Sequence, residues 1–323
     1  MDVVRGLMAP LPALRAPVAT LGGFDGVHRG HQRIVGDTVA WARAVGGEAV
    51  AITFDPLPKQ VVGPGGARCI TSLAHRLLLL GRCGVDVAVV LAFDEGVKRL
   101  AAEAFVERVL VGWLGARRVV VGRDARFGHG GRGDLALLER MAEAGVLEVC
   151  SPEPVRYGGQ VISSTAIREA VAEGDLVTAA AMLGRPYGLL GTVVPGHGRG
   201  RDLGFPTANL DLHHEALPPH GVYATALALD DRSLPALTYI GTRPTFADDA
   251  QPSVEVYIID LDDRDLYGRQ LEVVFVQRLR GDRRFPDRDA LIAQMEADRE
   301  AARALFRDRP PPHPLGSRPS SQP

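Results

Sequence analysis

The chain has 323 residues, 46% of them hydrophobic, and a formal net charge of −2. That length allows two domains with ordinary cores, and the near-neutral balance gives no electrostatic reason to expect nucleic acid or an anionic membrane as a partner. There is no apolar run long enough to span a bilayer, no signal-peptide pattern, and no Gly-Lys-Ser/Thr of a P-loop. Cys69, Cys83 and Cys150 show neither metal spacing nor a disulfide framework, which fits a reducing cytosol and leads us to expect a cytoplasmic protein.

In chain order, an apolar run over residues 17–21 reads as a buried strand and is broken by Gly22 and Gly23. His28-Arg29-Gly30-His31 then opens a segment to about residue 45 with helical spacing at Ile34, Val35, Thr38, Val39 and Ala42. Strand, glycine turn and helix start make an anion site, because the helix N-terminus offers free N–H groups and a positive dipole end. His28 and His31, three apart, share one face of that turn and can both reach a phosphate. Taken alone, the pair also reads as surface histidines or as two ligands of a metal.

Further strands are expected at 49–54, 87–93 and 118–121, and helices at 31–45, 72–82, 103–114 and 135–144. This alternation argues a parallel sheet covered on both faces, with ligands beyond the carboxyl ends of the strands. Three such ends are polar or glycine-rich: 22–31, 55–59 and 122–134. At the second, Pro56 and Pro58 stop the strand after Asp55, and alone this is a plain strand exit. Ile162-Ser163-Ser164-Thr165-Ala166-Ile167-Arg168 offers helix-capping hydroxyls, and the helices run on through Gly174-Asp175 to Leu183.

Beyond Gly184-Arg185-Pro186-Tyr187 the pattern changes to short strands at 187–194, 222–229, 236–240, 254–260 and 271–279. Turn clusters separate them, at Asp230-Asp231-Arg232-Ser233 and Asp262-Asp263-Arg264-Asp265, which argues a small antiparallel barrel. An amphipathic helix over 289–306, apolar at Leu291, Ile292, Met295, Ala302 and Leu305, is expected to pack on it. Residues 310–323, rich in proline and serine, are expected to be a disordered tail. Gly196, Gly198, Gly200 and Gly204 form a loop whose backbone amides can approach an anion. Glu255 faces opposite to Val254 and Val256 in an alternating strand, and by pattern alone it points to solvent.

His-x-Gly-His after a strand resembles the signature of the nucleotidylyltransferase superfamily. The longer string Phe24-Asp25-Gly26-Val27-His28-Arg29-Gly30-His31 resembles bacterial bifunctional riboflavin kinase/FAD synthetase, as do 162–168 in full, Gly204-Phe205-Pro206-Thr207-Ala208-Asn209, Gly221-Val222-Tyr223-Ala224, 240–246 and Asp265-Leu266-Tyr267-Gly268. The resemblance covers about residues 17–307. It implies an α/β, Rossmann-like nucleotidylyltransferase domain over 1–184, which adenylylates FMN to FAD. A small antiparallel β-barrel with a C-terminal helix, over 185–309, would phosphorylate riboflavin to FMN.

The implied substrates are ATP, riboflavin and FMN, with Mg²⁺ as cofactor, and the sequence leaves a homo-oligomer open. By the same resemblance, His28 and His31 stabilise phosphate charge during attack at the α-phosphorus. Gly22, Phe24, Asp25, Gly26, Gly30, Asp55, Ser163, Ser164, Thr165 and Arg168 hold ATP there, and Asp124 and Phe127 lie on the flavin side. In the barrel Gly196, Gly198, Arg199, Gly200, Gly204, Pro206 and Arg243 bind ATP or flavin, and Thr207 and Asn209 ligate Mg²⁺. Glu255 accepts the proton of the ribityl 5′-hydroxyl. Two departures stand out. Leu57 replaces the histidine of Thr-Phe-Asp/Glu-Pro-His-Pro, and Ala125 replaces the first aromatic of Val-Gly-x-Asp/Asn-Phe-x-Phe-Gly. They keep open a kinase whose N-terminal domain is a weak or altered-acceptor nucleotidyltransferase. A non-enzymatic binding or assembly module is the third reading, and the retention of His28, His31 and Arg168 argues against it.

Overall fold

A computed structural model describes residues 1–62, 68–196, 199–212, 215–230, 232–242, 252–261, 264–307 and 310–312, with only the backbone of 62, 199 and 252. Two compact units emerge: Met1–Arg68 with Arg76–Ser164, and Cys69–His75 with Thr165–Pro323.

In the first unit, β1 (Asp2–Arg5), β2 (Val18–Leu21), β3 (Ala49–Phe54), β4 (Val87–Leu91), β5 (Arg118–Val120) and β6 (Glu148–Cys150) form a parallel sheet in the order β1-β4-β3-β2-β5-β6. Strands β2, β3 and β4 are buried along their whole length, as continuous apolar runs are when helices cover both faces of a sheet. One face carries α1 (Arg29–Ala44), with Ala42 packed against Val18, Ala49 and Val120. The remaining helices are α2 (Pro58–Val62), α3 (Leu73–Arg82), α4 (Glu95–Lys98), α5 (Ala102–Ala104) and α6 (Leu135–Glu143). The core of the other face joins Ile52, Val89, Leu110, Val119 and Leu138. From β2 the chain passes to β3 on one side and later crosses to β5 on the other, so the order reverses at β2. The segment 22–31 emerges at that switch point.

The helix expected over 103–114 is instead α5 followed by a π-helical stretch, Phe105–Trp113. Apolar spacing does not distinguish a π from an α turn, and the wider turn brings residue 112 to within 3.0 Å of Glu107 O when a Cβ is built on it. Strands β1 and β6 are three or four residues long and partly exposed, too short for periodicity to reveal. A two-stranded hairpin, β7 (Arg156–Tyr157) and β8 (Gln160–Val161), precedes α7 (Ser164–Glu173) and α8 (Leu176–Leu183), which Asp175 caps through a 3.0 Å bond from Thr178 N.

The second unit holds the barrel. Its strands are β9 (Gly188–Val194), β10 (Ala208–Asp211), β11 (Gly221–Leu229), β12 (Arg232–Thr242), β13 (Pro252–Ile258) and β14 (Gln270–Arg280), with the short α9 (Arg199–Asp202) between β9 and β10. They close in the order β10-β13-β12-β11-β14-β9, every neighbour antiparallel. Strand β10 escaped the sequence reading because its four residues follow a glycine and proline segment. Strand β12 begins at Arg232, inside a cluster expected as a turn. Helix α10 (Arg288–Arg307) covers β11 and β12 through Ala302, packed with Val222, Ala224 and Leu237. Its Asp298, 5% exposed, accepts from the half-buried Arg280 Nε at 2.9 Å, an ion pair beside the apolar stripe. Pro311 and Pro312, at the start of the expected tail, accept from Ser233 Oγ at 3.2 and 3.0 Å; residues 313–323 lie outside the described residues.

Candidate active sites

The first site is the glycine turn after β2. Gly22 N continues the ladder to Ile52 O at 3.1 Å. Phe24 (φ 48°), Gly26 (φ 80°) and Val27 (φ 39°) then take left-handed conformations. Gly26 does so freely, whereas Phe24 and Val27 store on the order of 1–3 kcal/mol each. Burial of both side chains and a 2.8 Å bond from Gln32 Nε2 to Val27 O hold the strained turn.

The turn delivers His28 as the N-cap of α1, where its Nδ1 accepts from His31 N at 3.3 Å. In the neutral ring this leaves the proton on Nε2. The rings of His28 and His31 stack with centroids 3.6 Å apart, and Phe24 meets His31 edge-on at 5.3 Å. A Cβ on Gly30 would come within 3.1 Å of the His28 ring, so glycine gives that ring its room. Burial, then the charges of His28, Arg76 and Lys59, hold the His31 imidazole well below its usual range, and it is neutral at neutral pH. Its Nδ1 is buried without a hydrogen-bond partner among the described residues.

Ser164 Oγ donates to Asp25 O at 3.0 Å, which brings Ser164 to the turn, with Ser163 one residue before. Thr165 and Arg168 lie on α7 in the second unit, Arg168 Nη2 at 3.4 Å from Thr165 Oγ1. Asp55 and Asp124 are exposed at the ends of the β3 and β5 connections. Phe127, 5% exposed, packs on Phe105 in the core, with ring centroids 5.8 Å apart. Leu57 is buried against the turn, 3.4 Å from the position of a Gly23 Cβ.

The second site is in the barrel. Gly200 tolerates no side chain, because a Cβ would stand 2.3 Å from Phe205 O; that carbonyl belongs to the same tight loop, closed by Phe205 N on Gly200 O at 2.8 Å. Gly196 passes directly over Asn209, whose Nδ2 would be 2.0 Å from a Cβ there. Gly204 follows in a left-handed turn and leads to Pro206. Thr207 Oγ1 lies 3.5 Å from Glu255 Oε2, and the buried Asn209 is the register partner of Glu255 across β10 and β13.

Two cavities, each of about 320 Å³, meet at Thr207. One is lined by Val193, Arg201, Pro206, Ile258 and Tyr267. The other, under α10, is lined by Glu255, Tyr239, Phe285, Leu291 and Met295. Glu255 therefore faces a half-buried cavity and not open solvent. Tyr239 is pushed up to about 12 by burial, by Asp282 and by Glu255, so its hydroxyl keeps its proton. Gly198, Arg243 and the side chain of Arg199 lie outside the described residues. The sequence reading missed Tyr239, Asp282 and Arg76. Arg76 alone had a signal, a charge inside the apolar run of α3.

The riboflavin kinase family model matches residues 183–306, and the FAD synthetase family model matches 12–166. A bifunctional riboflavin kinase/FMN adenylyltransferase of Pseudomonas fluorescens is 39% identical over 305 residues, which cover 94% of this chain and 98% of that one. The chain belongs to the bifunctional riboflavin kinase/FMN adenylyltransferase family. The relative of that name from Escherichia coli K12 is 38% identical over 310 residues, covering 95% of this chain and 98% of that one. A solved structure described as a macrolide-efflux protein from Streptococcus pneumoniae matches with a TM-score of 0.81 at 30% identity, covering 94% of this chain and 99% of that one.

As a bifunctional riboflavin kinase/FMN adenylyltransferase, the chain uses ATP to phosphorylate riboflavin to FMN and to adenylylate FMN to FAD. The altered-acceptor and non-enzymatic readings are not favoured. Among the described residues no helix is long and apolar enough to cross a membrane.

Proposed function

We propose that residues 1–184 carry adenylyl transfer and 185–309 riboflavin phosphorylation, in the cytoplasm, with Mg²⁺ as the cation of ATP. The observation that carries the kinase site is the meeting of two cavities at Thr207, with Glu255 beside it. The cavity with Val193, Ile258, Tyr267 and Arg201 suits a nucleotide, with apolar walls for the base and an arginine for phosphate oxygens. Phe285, Leu291 and Met295 suit the flat apolar isoalloxazine ring. The γ-phosphate and the ribityl chain then converge on Thr207. Glu255 accepts the proton of the 5′-hydroxyl as that oxygen attacks the γ-phosphorus, and the bond to ADP breaks with its electron pair leaving on ADP.

Thr207, Asn209 and Glu255 offer oxygen atoms together, a donor set that fits a hard cation. The described residues contain no group of three or more His, Cys, Asp or Glu suited to a metal, so ATP phosphates would complete the coordination. Bound there, Mg²⁺ would offset charge on the phosphates. Gly196, Gly198, Arg199, Gly200, Gly204, Pro206 and Arg243 are assigned to hold ATP or flavin around them.

In adenylyl transfer an FMN phosphate oxygen attacks the α-phosphorus of ATP and pyrophosphate leaves. His28 and His31, whose rings stack, and the N–H groups that open α1 are assigned to donate to the phosphate oxygens as charge develops. Gly22, Phe24, Asp25, Gly26 and Gly30 shape the turn, and Asp55, Ser163, Ser164, Thr165 and Arg168 complete the ATP side. Asp124 and Phe127 are assigned to the flavin side.

The test is a double dissociation. Glu255→Ala is expected to lower FMN formation by about 10²-fold or more while FMN-to-FAD conversion stays intact. His31→Ala is expected to do the reverse. Loss of both activities from either change, in a folded protein, would sink the two-site assignment.

A further inference from the structure

Arg76 is the largest fully buried side chain among the described residues, at 1% exposed. It stands on α3 among the buried Leu77, Leu79 and Leu80. Its Nη1 lies 2.9 Å from Gly23 O, 3.0 Å from Thr53 Oγ1 and 3.0 Å from Phe54 O. Thr53 Oγ1 in turn donates to Gly23 O at 3.2 Å. Gly23 belongs to the turn after β2, and Thr53 and Phe54 end β3. One guanidinium thus ties together the two strand ends that continue into 22–31 and 55–59.

Burying a charge is costly, and an apolar side chain of similar volume would fill the same space without that cost. The guanidinium has a second effect that an apolar residue would not have, because its field reaches His31. The titratable and charged groups acting on that ring are His28 from its own helix, Arg76 from α3 and Lys59 from α2.

We propose that Arg76 is a positioning residue for adenylyl transfer, clamping the Gly23 turn to the end of β3 and so setting where His28 and His31 stand. The inference rests on the assignment of those histidines to that reaction. Burial is the largest cause of the low proton affinity of His31 and the Arg76 charge adds to it, so removing that charge raises the affinity.

The full-length enzyme tests this with Arg76→Met, similar in bulk and uncharged, and Arg76→Lys, which keeps the charge on a shorter side chain that does not reach the place of Nη1. FAD formation and pyrophosphate release from FMN and ATP are followed across the acid and neutral range, with riboflavin phosphorylation in the same preparation as the control. Arg76→Met is expected to lower the adenylylation kcat by about 10²-fold with KM for FMN little changed, the scale of a misplaced reacting group. The acid midpoint of that profile is expected to move to higher pH, and the kinase rate to stay as it was. Arg76→Lys is expected to keep the midpoint and recover only part of kcat.

An Arg76→Met enzyme with full kcat and an unmoved midpoint overturns the proposal. If Arg76→Met does not fold, Arg76→Lys decides by itself, since a full kcat there shows that the Nη1 contacts position nothing. His31→Ala run in parallel separates the two ideas: full adenylylation in that variant removes the site assignment, whatever Arg76 does.

Discussion

Leu57 stands where the family motif has a histidine, and its side chain is buried against the Gly23 turn. An imidazole there could donate to a phosphate oxygen, whereas an isobutyl group cannot. Loss of one donor from a transition-state site costs about 10²–10³ in rate. Two cations, Arg123 and Lys59, stand in the connections after β5 and β3. Arg123 is paired with Glu153, while the charge of Lys59, two residues from Leu57, reaches His31. FAD synthesis is therefore expected to run, but more slowly than FMN synthesis. Leu57→His is expected to raise pyrophosphate release from FMN and ATP with the kinase rate unchanged, and Lys59→Met to lower it. If the wild type already adenylylates as fast as it phosphorylates, and Leu57→His adds nothing, the compensation idea is wrong.

Helix α1 is fixed at both ends, and the C-terminal anchor sets how firmly the histidine end is held. Arg43 makes a fork on Asp86, with Nη1 to Oδ2 at 2.6 Å and Nη2 to Oδ1 at 2.8 Å, and Ala49 N donates to the same Oδ2 at 2.8 Å. The Arg43 guanidinium, helped by the Ala49 amide, holds the Asp86 carboxyl below its ordinary range despite partial burial. A carboxyl depressed in the folded state stabilises it above the unfolded value of about 3.9, and that contribution is lost as pH falls through the folded value. The arginine is half exposed, so solvent screens the pair and about 1 kcal/mol is the scale to expect. Asp86→Ala is expected to lower the temperature at which adenylylation is lost, leave that of the kinase in place, and show a shrinking difference from wild type as the buffer is taken into acid. Equal shifts in both activities would show that the anchor does not act locally.

For the molecule as a whole, the chain beyond α10 tests what the barrel unit needs. Among the described residues, the carbonyls of Pro311 and Pro312 accept from Ser233 Oγ, bonds that water can replace at little net cost. Deletion of Pro310–Pro323 is expected to leave both rates and both inactivation temperatures unchanged. A deletion that inactivates the kinase by unfolding it would show that this segment is part of the barrel's core.

The sequence by itself determined the two-part architecture, because continuous apolar runs between helical periods demand a covered parallel sheet and short strands between turn clusters demand a closed antiparallel one. The resemblance carried by the strings around His28, Ser164 and Thr207 also pointed to the family, and through it to the two reactions. Tertiary structure decided what depends on residues far apart in sequence. The strand order puts the His28 turn at the switch point, and the helix over β11 and β12 turns Glu255 from an ordinary alternating glutamate into the wall of a cavity. Thr207 becomes the meeting point of two pockets, while Phe127 packs into the core. Arg76 shows the reason most plainly. Its acceptors lie 22, 23 and 53 residues away along the chain. A local pattern records a charge in an apolar helix, but only the packed sheet shows which two strand ends that charge joins.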